Sequence, residues 1–152
     1  MPDVFTKAKR SEVMSRIRSH GNKDTEIALM RLFQRHRITG WRRHQALPGR
    51  PDFTFRHERL VVFVDGCFWH GCPKHGRKPT TNRAYWLPKL KGNIRRDMLR
   101  SEELKKEGWR VIRLWSHDLR DPATVVSRIF LELTTASKMC KHALHKHEGQ
   151  KR

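Results

Sequence analysis

Between Val64 and His75 the chain reads VDGCFWHGCPKH, a stretch that crowds two thiols, two imidazoles, a carboxylate and two large aromatic rings together. Thiolates and imidazoles are the ligands Zn(II) takes in closed, four-coordinate sites. Cys67, Cys72 and His75 offer three of them, and His117 a fourth. The loop is poor in apolar residues after Trp69, so it needs a staple other than packing, and metal binding is one. The spacing leaves one exchange open: His70 as the fourth ligand in place of His75 or His117.

A second set of groups suits a different ion. Asp52 follows Pro51 at the start of one expected strand, and Asp65 closes another. Antiparallel pairing would bring these carboxylates together, and two of them bind Mg(II) well through oxygen. In a basic protein, an ion placed beside phosphate is what phosphodiester cleavage requires. Nucleases of this plan commonly end the strand in acid-x-lysine, whereas Asp65-Gly66-Cys67 has no lysine. His70, with an unperturbed pKa of roughly 6.5, is the substitute base or acid. Phe68 and Trp69, joined by Trp86, are rings able to enter a base stack and kink a duplex, core packing being the alternative for each.

Charge identifies the partner class. Lys and Arg number 34 against 15 acidic residues, giving +19 and a sequence pI near 11.1. A polyanion is implied, nucleic acid before a membrane surface. No long apolar segment, signal peptide or lipidation motif is present to support the membrane. Arg42, Arg43, Arg50 and the Arg95–Arg96 pair are the side chains expected to position a phosphate backbone. An odd set of three cysteines, Cys67, Cys72 and Cys140, is a metal pattern rather than a disulfide framework and predicts a reducing cytoplasm.

The elements that must hold these groups follow from punctuation and periodicity. Residues 1–23 read as a basic arm with a short helix over Ser11–Arg18. A helix capped by Asp24 or Thr25 carries Ile27, Leu29, Met30, Leu32 and Phe33 at helical spacing. Strands are expected at 41–45, 52–55 and 60–64, the last two as a hairpin around Arg56–Arg59. Asn82 would cap a long helix to Lys106 whose core stripe is Trp86, Leu90, Ile94, Met98 and Leu104, ended by Gly108. The strand at 109–115 would run parallel to its neighbour, since a helix separates them. A last helix from Pro122 to about Leu133 precedes a basic tail over 135–152. The chain length suits one domain, spanning 24–134, and the element order implies an α/β sandwich with a mixed sheet.

At this point several stretches match a family. LPGRPDF at 47–53, GCFWH at 66–70, Tyr85–Trp86 and GWRVIRLW at 108–115 resemble the very short patch repair DNA mismatch endonucleases over roughly residues 3–120. The resemblance implies a restriction-endonuclease-like three-layer sandwich with a mixed central sheet and a structural zinc site. It implies Mg(II)-dependent nicking of one strand of duplex DNA beside a T:G mismatch, in a bacterial cytoplasm, by a monomer. It assigns the metal-binding aspartate to Asp52, the catalytic second histidine to His70, and the intercalating rings to Phe68, Trp69 and Trp86. Its zinc positions fall on Cys67, Cys72 and His117. The family's Thr-His before Gly-Cys is replaced by Val64-Asp65: Val64 keeps the backbone carbonyl that contacts the metal, and a carboxylate replaces one histidine. The family's glutamate aligns with Ala28, while Glu26 stands two positions earlier, about 200° around a helix. Two other readings remain beside this one: a restriction- or homing-type nuclease that reads a sequence, and a non-catalytic, zinc-braced DNA-binding module.

Overall fold

The structure, a computed structural model, describes Thr6, Ala8, residues 25–76 and residues 78–148, with 139–148 as backbone only. The helix expected over Ser11–Arg18 and the cap position Asp24 lie outside the described residues.

The most apolar run forms the centre of the sheet. Strand β3 (Leu60–Asp65) is buried along its whole length, with β2 (Phe53–Phe55) antiparallel on one side and β4 (Arg110–Trp115) parallel on the other. β1 (Trp41–Arg43) pairs antiparallel outside β2, giving the order β1-β2-β3-β4. The expected hairpin and the expected parallel pair are both present. A tight turn permits only the first arrangement, and a helical crossover permits the second.

Alternation along β3 distributes the core to two faces. Leu60, Val62 and Val64 pack with Ile112 and Leu114 of β4, with Leu29, Leu32 and Phe33 of α1 (Glu26–Arg35), and with Val125, Val126 and Ile129 of α3 (Pro122–Glu148). Val61 and Phe63 face the other way, onto Trp109 and Leu104 of α2 (Arg83–Lys106). Helices therefore cover both faces of a mixed sheet. Phe33 is fully buried and meets Phe53 and Phe55 edge-on at 5.0 and 5.8 Å; truncating such a side chain costs about 3–5 kcal/mol.

Three expectations are corrected. First, α3 continues to Glu148, through the segment read as a tail. After Pro122 the next helix breaker is Gly149, and the intervening Ala, Leu, Met and Lys residues favour helix. Second, the stripe predicted for α2 is only in part its inward face: Leu104 is fully buried and Trp86 and Leu90 are half-buried, but Ile94 and Met98 are 37% and 61% exposed. Asn93, Asp97 and Ser101 share the inward side with Leu104 and contact the neighbouring elements. Asn93 and Asp97 each lie one residue, about 100°, away from Ile94 and Met98. Third, Thr25 and Asn82 occupy N-cap positions but form no side-chain cap, Asn82 sitting in the left-handed region at φ 51°. Among the described residues no helix is long and apolar enough to cross a membrane.

Candidate active site

The hairpin register brings the first carboxylate to the end of β3. Phe53 pairs with Val62, so Asp52, one residue earlier, lies beside the next stretch of β3, and its Oδ2 accepts the Val64 N–H at 2.8 Å. Asp65 closes β3, and His70 follows after the turn that begins at Gly66. Asp52, Val64, Asp65 and His70 all line one cleft of about 840 Å³, bounded by the turn at 47–50 and by α2. The structure thus gathers the residues that the sequence nominated for hydrolysis.

Asp52, His70 and Asp97 depart from their ordinary ionisation, each for a physical reason. Burial pushes the Asp52 carboxyl up to about 6; the charges of Glu26 and Asp65 add to this, while the Val64 N–H and His44 oppose it. A half-buried carboxylate with two others near it, and one hydrogen-bond donor among the described residues, has the character of a cation ligand. His70 Nδ1 lies 2.5 Å from Asp97 Oδ2 and 3.7 Å from Asp65 Oδ1. Burial works against the imidazolium, but the Asp97 bond and the two carboxylate charges outweigh it, and the His70 pKa rises above its ordinary value. Asp97, despite its own partial burial, is held below the usual carboxylate range by His70 and Arg113. An ionised Asp97 only accepts, so Nδ1 carries the proton and Nε2 is left as the basic nitrogen.

Asp65 is buried and has a partner that the sequence reading did not name. Arg113 Nε donates to Oδ2 at 2.6 Å and Nη2 to Oδ1 at 2.8 Å. Glu26 is also buried, with Oε1 accepting from Arg43 Nε at 2.7 Å, from Arg43 Nη2, and meeting His44 Nε2 at 2.5 Å. Despite its helical offset from Ala28, Glu26 lies near enough to Asp52 to affect its charge.

The thiols and imidazoles converge beside the cleft. Cys67, Cys72, His75 and His117 each present a ligand atom, and all four atoms lie within 4.8 Å of one another. His117 Nδ1 is 3.1 Å from Cys67 Sγ, 3.7 Å from Cys72 Sγ and 3.2 Å from His75 Nδ1, with Cys72 Sγ 4.0 Å from His75 Nδ1. Bonds of ~2.0–2.3 Å in a tetrahedron put ligand atoms about 3.3–3.8 Å apart, so the cluster fits a Zn(II) ion with little adjustment. Burial raises the Cys72 thiol, but the amides of His75, Lys74 and Gly76 and the Cys67 side chain more than compensate, and its pKa falls below the ordinary value. The carboxylate of Asp118 approaches His117 Nε2 at 3.3 Å, the outer-shell arrangement that orients a ligating imidazole. His70 stands with Asp97 instead, outside this cluster. Gly71, at φ 69°, lets the loop pass α2, because a Cβ there would fall 2.5 Å from Ile94 Cδ1.

Phe68, Trp69 and Trp86 form one half-buried aromatic group, with centroids 5.0, 5.8 and 5.9 Å apart and edge-on geometry. Tyr85 extends it at 5.1 Å from Trp86. Asn93 Nδ2 donates to the Trp69 carbonyl at 3.1 Å and ties the group to α2. Of the expected phosphate-contacting residues, Arg42, Arg50, Arg95 and Arg96 are exposed, and Arg50 and Arg96 border the cleft. Arg43 is turned inward onto Glu26.

Sequence reasoning missed Asp97 and Arg113. A signal for Asp97 existed: Asn93, Asp97 and Ser101 recur every fourth residue as a polar stripe on an otherwise basic helix. Arg113 gave none, since an arginine in an alternating strand reads as solvent-facing.

Comparison with known proteins points to one family. The family model "DNA mismatch endonuclease Vsr" matches residues 2–75. Type II nicking enzyme V.NaeI of Lentzea aerocolonigenes is 50% identical over 78 residues, 51% of this chain and 47% of that enzyme, so the match spans about half its length. Type II nicking enzyme V.NmeDIP of Neisseria meningitidis serogroup C is 39% identical over 119 residues, 77% of this chain and 80% of that enzyme. The DNA mismatch endonuclease Vsr of Escherichia coli strain K12 is 37% identical over 123 residues, 79% of this chain and 77% of that enzyme.

Proposed function

The chain belongs to the Vsr family of DNA endonucleases, and from that membership we propose that it nicks one strand of duplex DNA at a T:G mismatch, with Mg(II) as cofactor, in very short patch repair. The observation that carries the reading is the adjacency of a carboxylate–imidazole cleft and an aromatic group on one loop, 65–70, in a strongly basic chain.

Phe68, Trp69 and Trp86 would enter the base stack at the mispair, where unstacking is cheapest, and bend the backbone toward the cleft. Arg42, Arg50, Arg95 and Arg96 would hold phosphates on either side. Asp52 and the Val64 carbonyl would hold Mg(II), with Asp65 beside them. Bound there, the ion polarises the scissile phosphate and acidifies water. His70, its Nδ1 fixed by Asp97, would take the proton of the attacking water at Nε2. Cys67, Cys72, His75 and His117 would hold Zn(II), which would tie His117, two residues beyond β4, to the loop carrying His70 and the rings. Glu26 would set the charge on Asp52 from α1.

A second reading has the enzyme recognise flanking sequence as well as, or instead of, a mispair; the relatives named type II nicking enzymes favour it. Nicking of end-labelled duplexes with T:G, C:G or T:A at one position in several flanks, with and without Mg(II), separates these. The proposal expects cuts at T:G alone and only with the ion. Cutting of C:G in one particular flank would support the sequence reader, and binding without any cut would leave a zinc-braced DNA binder.

A further inference from the structure

We propose that Arg113 is a positioning residue that withdraws Asp65 from metal binding, so that the cation site of this enzyme is built on Asp52 without a second carboxylate from β3. The inference deepens the reading of the cleft as a Mg(II) site and rests on it.

The parallel register sets Phe63 beside Arg113 and Asp65 beside Trp115, so Arg113 and Asp65 are diagonal neighbours on the face turned to α2. Asp65 meets the guanidinium side-on through both oxygens, at 2.6 and 2.8 Å, the bidentate fork that suits arginine and not lysine. The same guanidinium is fixed from three other directions. Nη2 lies 3.2 Å from Asp97 Oδ1, Nη1 donates to Ser101 Oγ at 3.2 Å, and its carbon sits 4.5 Å over the Phe63 ring. A group so anchored does not swing away to admit an ion. A divalent cation on Asp65 would also have to approach a fixed positive charge in a partly dry cleft.

Asp52 is placed differently: among the described residues it has one amide donor and no cation bonded to it. The stretch Asp65-Gly66-Cys67 lacks the lysine that strand ends of this kind usually carry. In this chain the cation on that side of the cleft comes from β4. Arg113 also contacts Asp97, which holds His70, so one arginine sets the carboxylate of β3 and the orientation of the base.

The test is Mn(II) binding by paramagnetic resonance on the full chain, without DNA and with Zn(II) supplied. Asp52→Asn should weaken binding by at least ~10-fold, since a direct ligand should matter no less than an outer-shell partner, and Asp65→Asn by less than about threefold. Arg113→Met should free Asp65 and tighten binding by about 10-fold, and the Asp65→Asn/Arg113→Met double variant should return to the unaltered affinity. Should Arg113→Met fail to fold, Asp65→Asn decides alone, since the amide keeps the shape. Loss of Mn(II) by Asp65→Asn as severe as by Asp52→Asn overturns the inference while sparing the cation site. Failure of the unaltered chain to bind Mn(II) overturns both.

Discussion

Asp52→Asn should make the fold more stable while abolishing the cut. The folded state holds the Asp52 proton up to about 6 against an ordinary 3.8, and that gap, at ~1.36 kcal/mol for each pH unit, is about 3 kcal/mol. The sign follows from linkage. Between the two values the folded state binds the proton more tightly than the unfolded chain, so ionisation of Asp52 opposes folding as pH rises. The penalty is complete above about pH 6, shrinks as pH falls, and is gone below 3.8. The amide removes it but offers the Val64 N–H a neutral acceptor in place of a charged one, a loss of about 1 kcal/mol. A net gain of about 1–2 kcal/mol should remain at about pH 8, roughly 3–6 °C in Tm for a domain of this size. The assay is thermal unfolding of both proteins at about pH 8 and about pH 4 in resin-treated buffer, followed by Mg(II) addition, which should raise the Tm of the unaltered protein alone. An Asn variant less stable than its parent at about pH 8, or equally displaced at both pH values, would refute the reasoning. So would retained Mg(II)-dependent nicking.

Other consequences are equally open to measurement. Asp97→Asn removes a charge-assisted bond worth about 1.5–3 kcal/mol, so nicking at about pH 8 should fall roughly 10- to 100-fold. Because Asp97 holds the His70 pKa up, the rise of rate with pH should move to lower pH in that variant; single-turnover rates across pH would show it. The ion pair itself stabilises the fold most below the ordinary histidine pKa and is lost as pH rises through the raised one, so Asp97→Asn should cost more stability at about pH 6 than at about pH 9. Cys72→Ser should abolish the zinc signal in metal analysis and cost several kcal/mol, because ligand binding and loop folding are one event. Trp69→Ala should weaken binding to a T:G duplex by ~1–3 kcal/mol while changing matched-duplex binding less, measured by competition.

Much of the architecture was legible because it depends on local signals. The hairpin of β2 and β3 follows from two apolar runs around Arg56–Arg59, and the parallel β4 from the helix that intervenes. The convergence of Cys67, Cys72, His75 and His117 was legible because three of them share a loop, and His117 follows a strand that had to lie alongside β3. The inward face of α2 was not. Periodicity assigns the apolar stripe to the core, but this helix covers a cleft as well as a core, so Asn93, Asp97 and Ser101 face inward and Met98 faces out. The end of α3 was not legible either, since a basic composition reads as a tail even where no breaker precedes Gly149.

The amino-acid order alone determined which chemistry was possible: soft ligands for zinc, hard ones for magnesium, an imidazole between them, rings for a base stack and a charge that demands phosphate. Tertiary structure decided which partner each group keeps. Asp65 was one carboxylate among several until the β3–β4 register set Arg113 diagonal to it, and His70 was a candidate ligand until α2 turned Asp97 to meet it. Register and helix rotation are fixed by packing across the whole core, over distances along the chain that no local pattern spans, so the charge state of the cleft is a property of the fold.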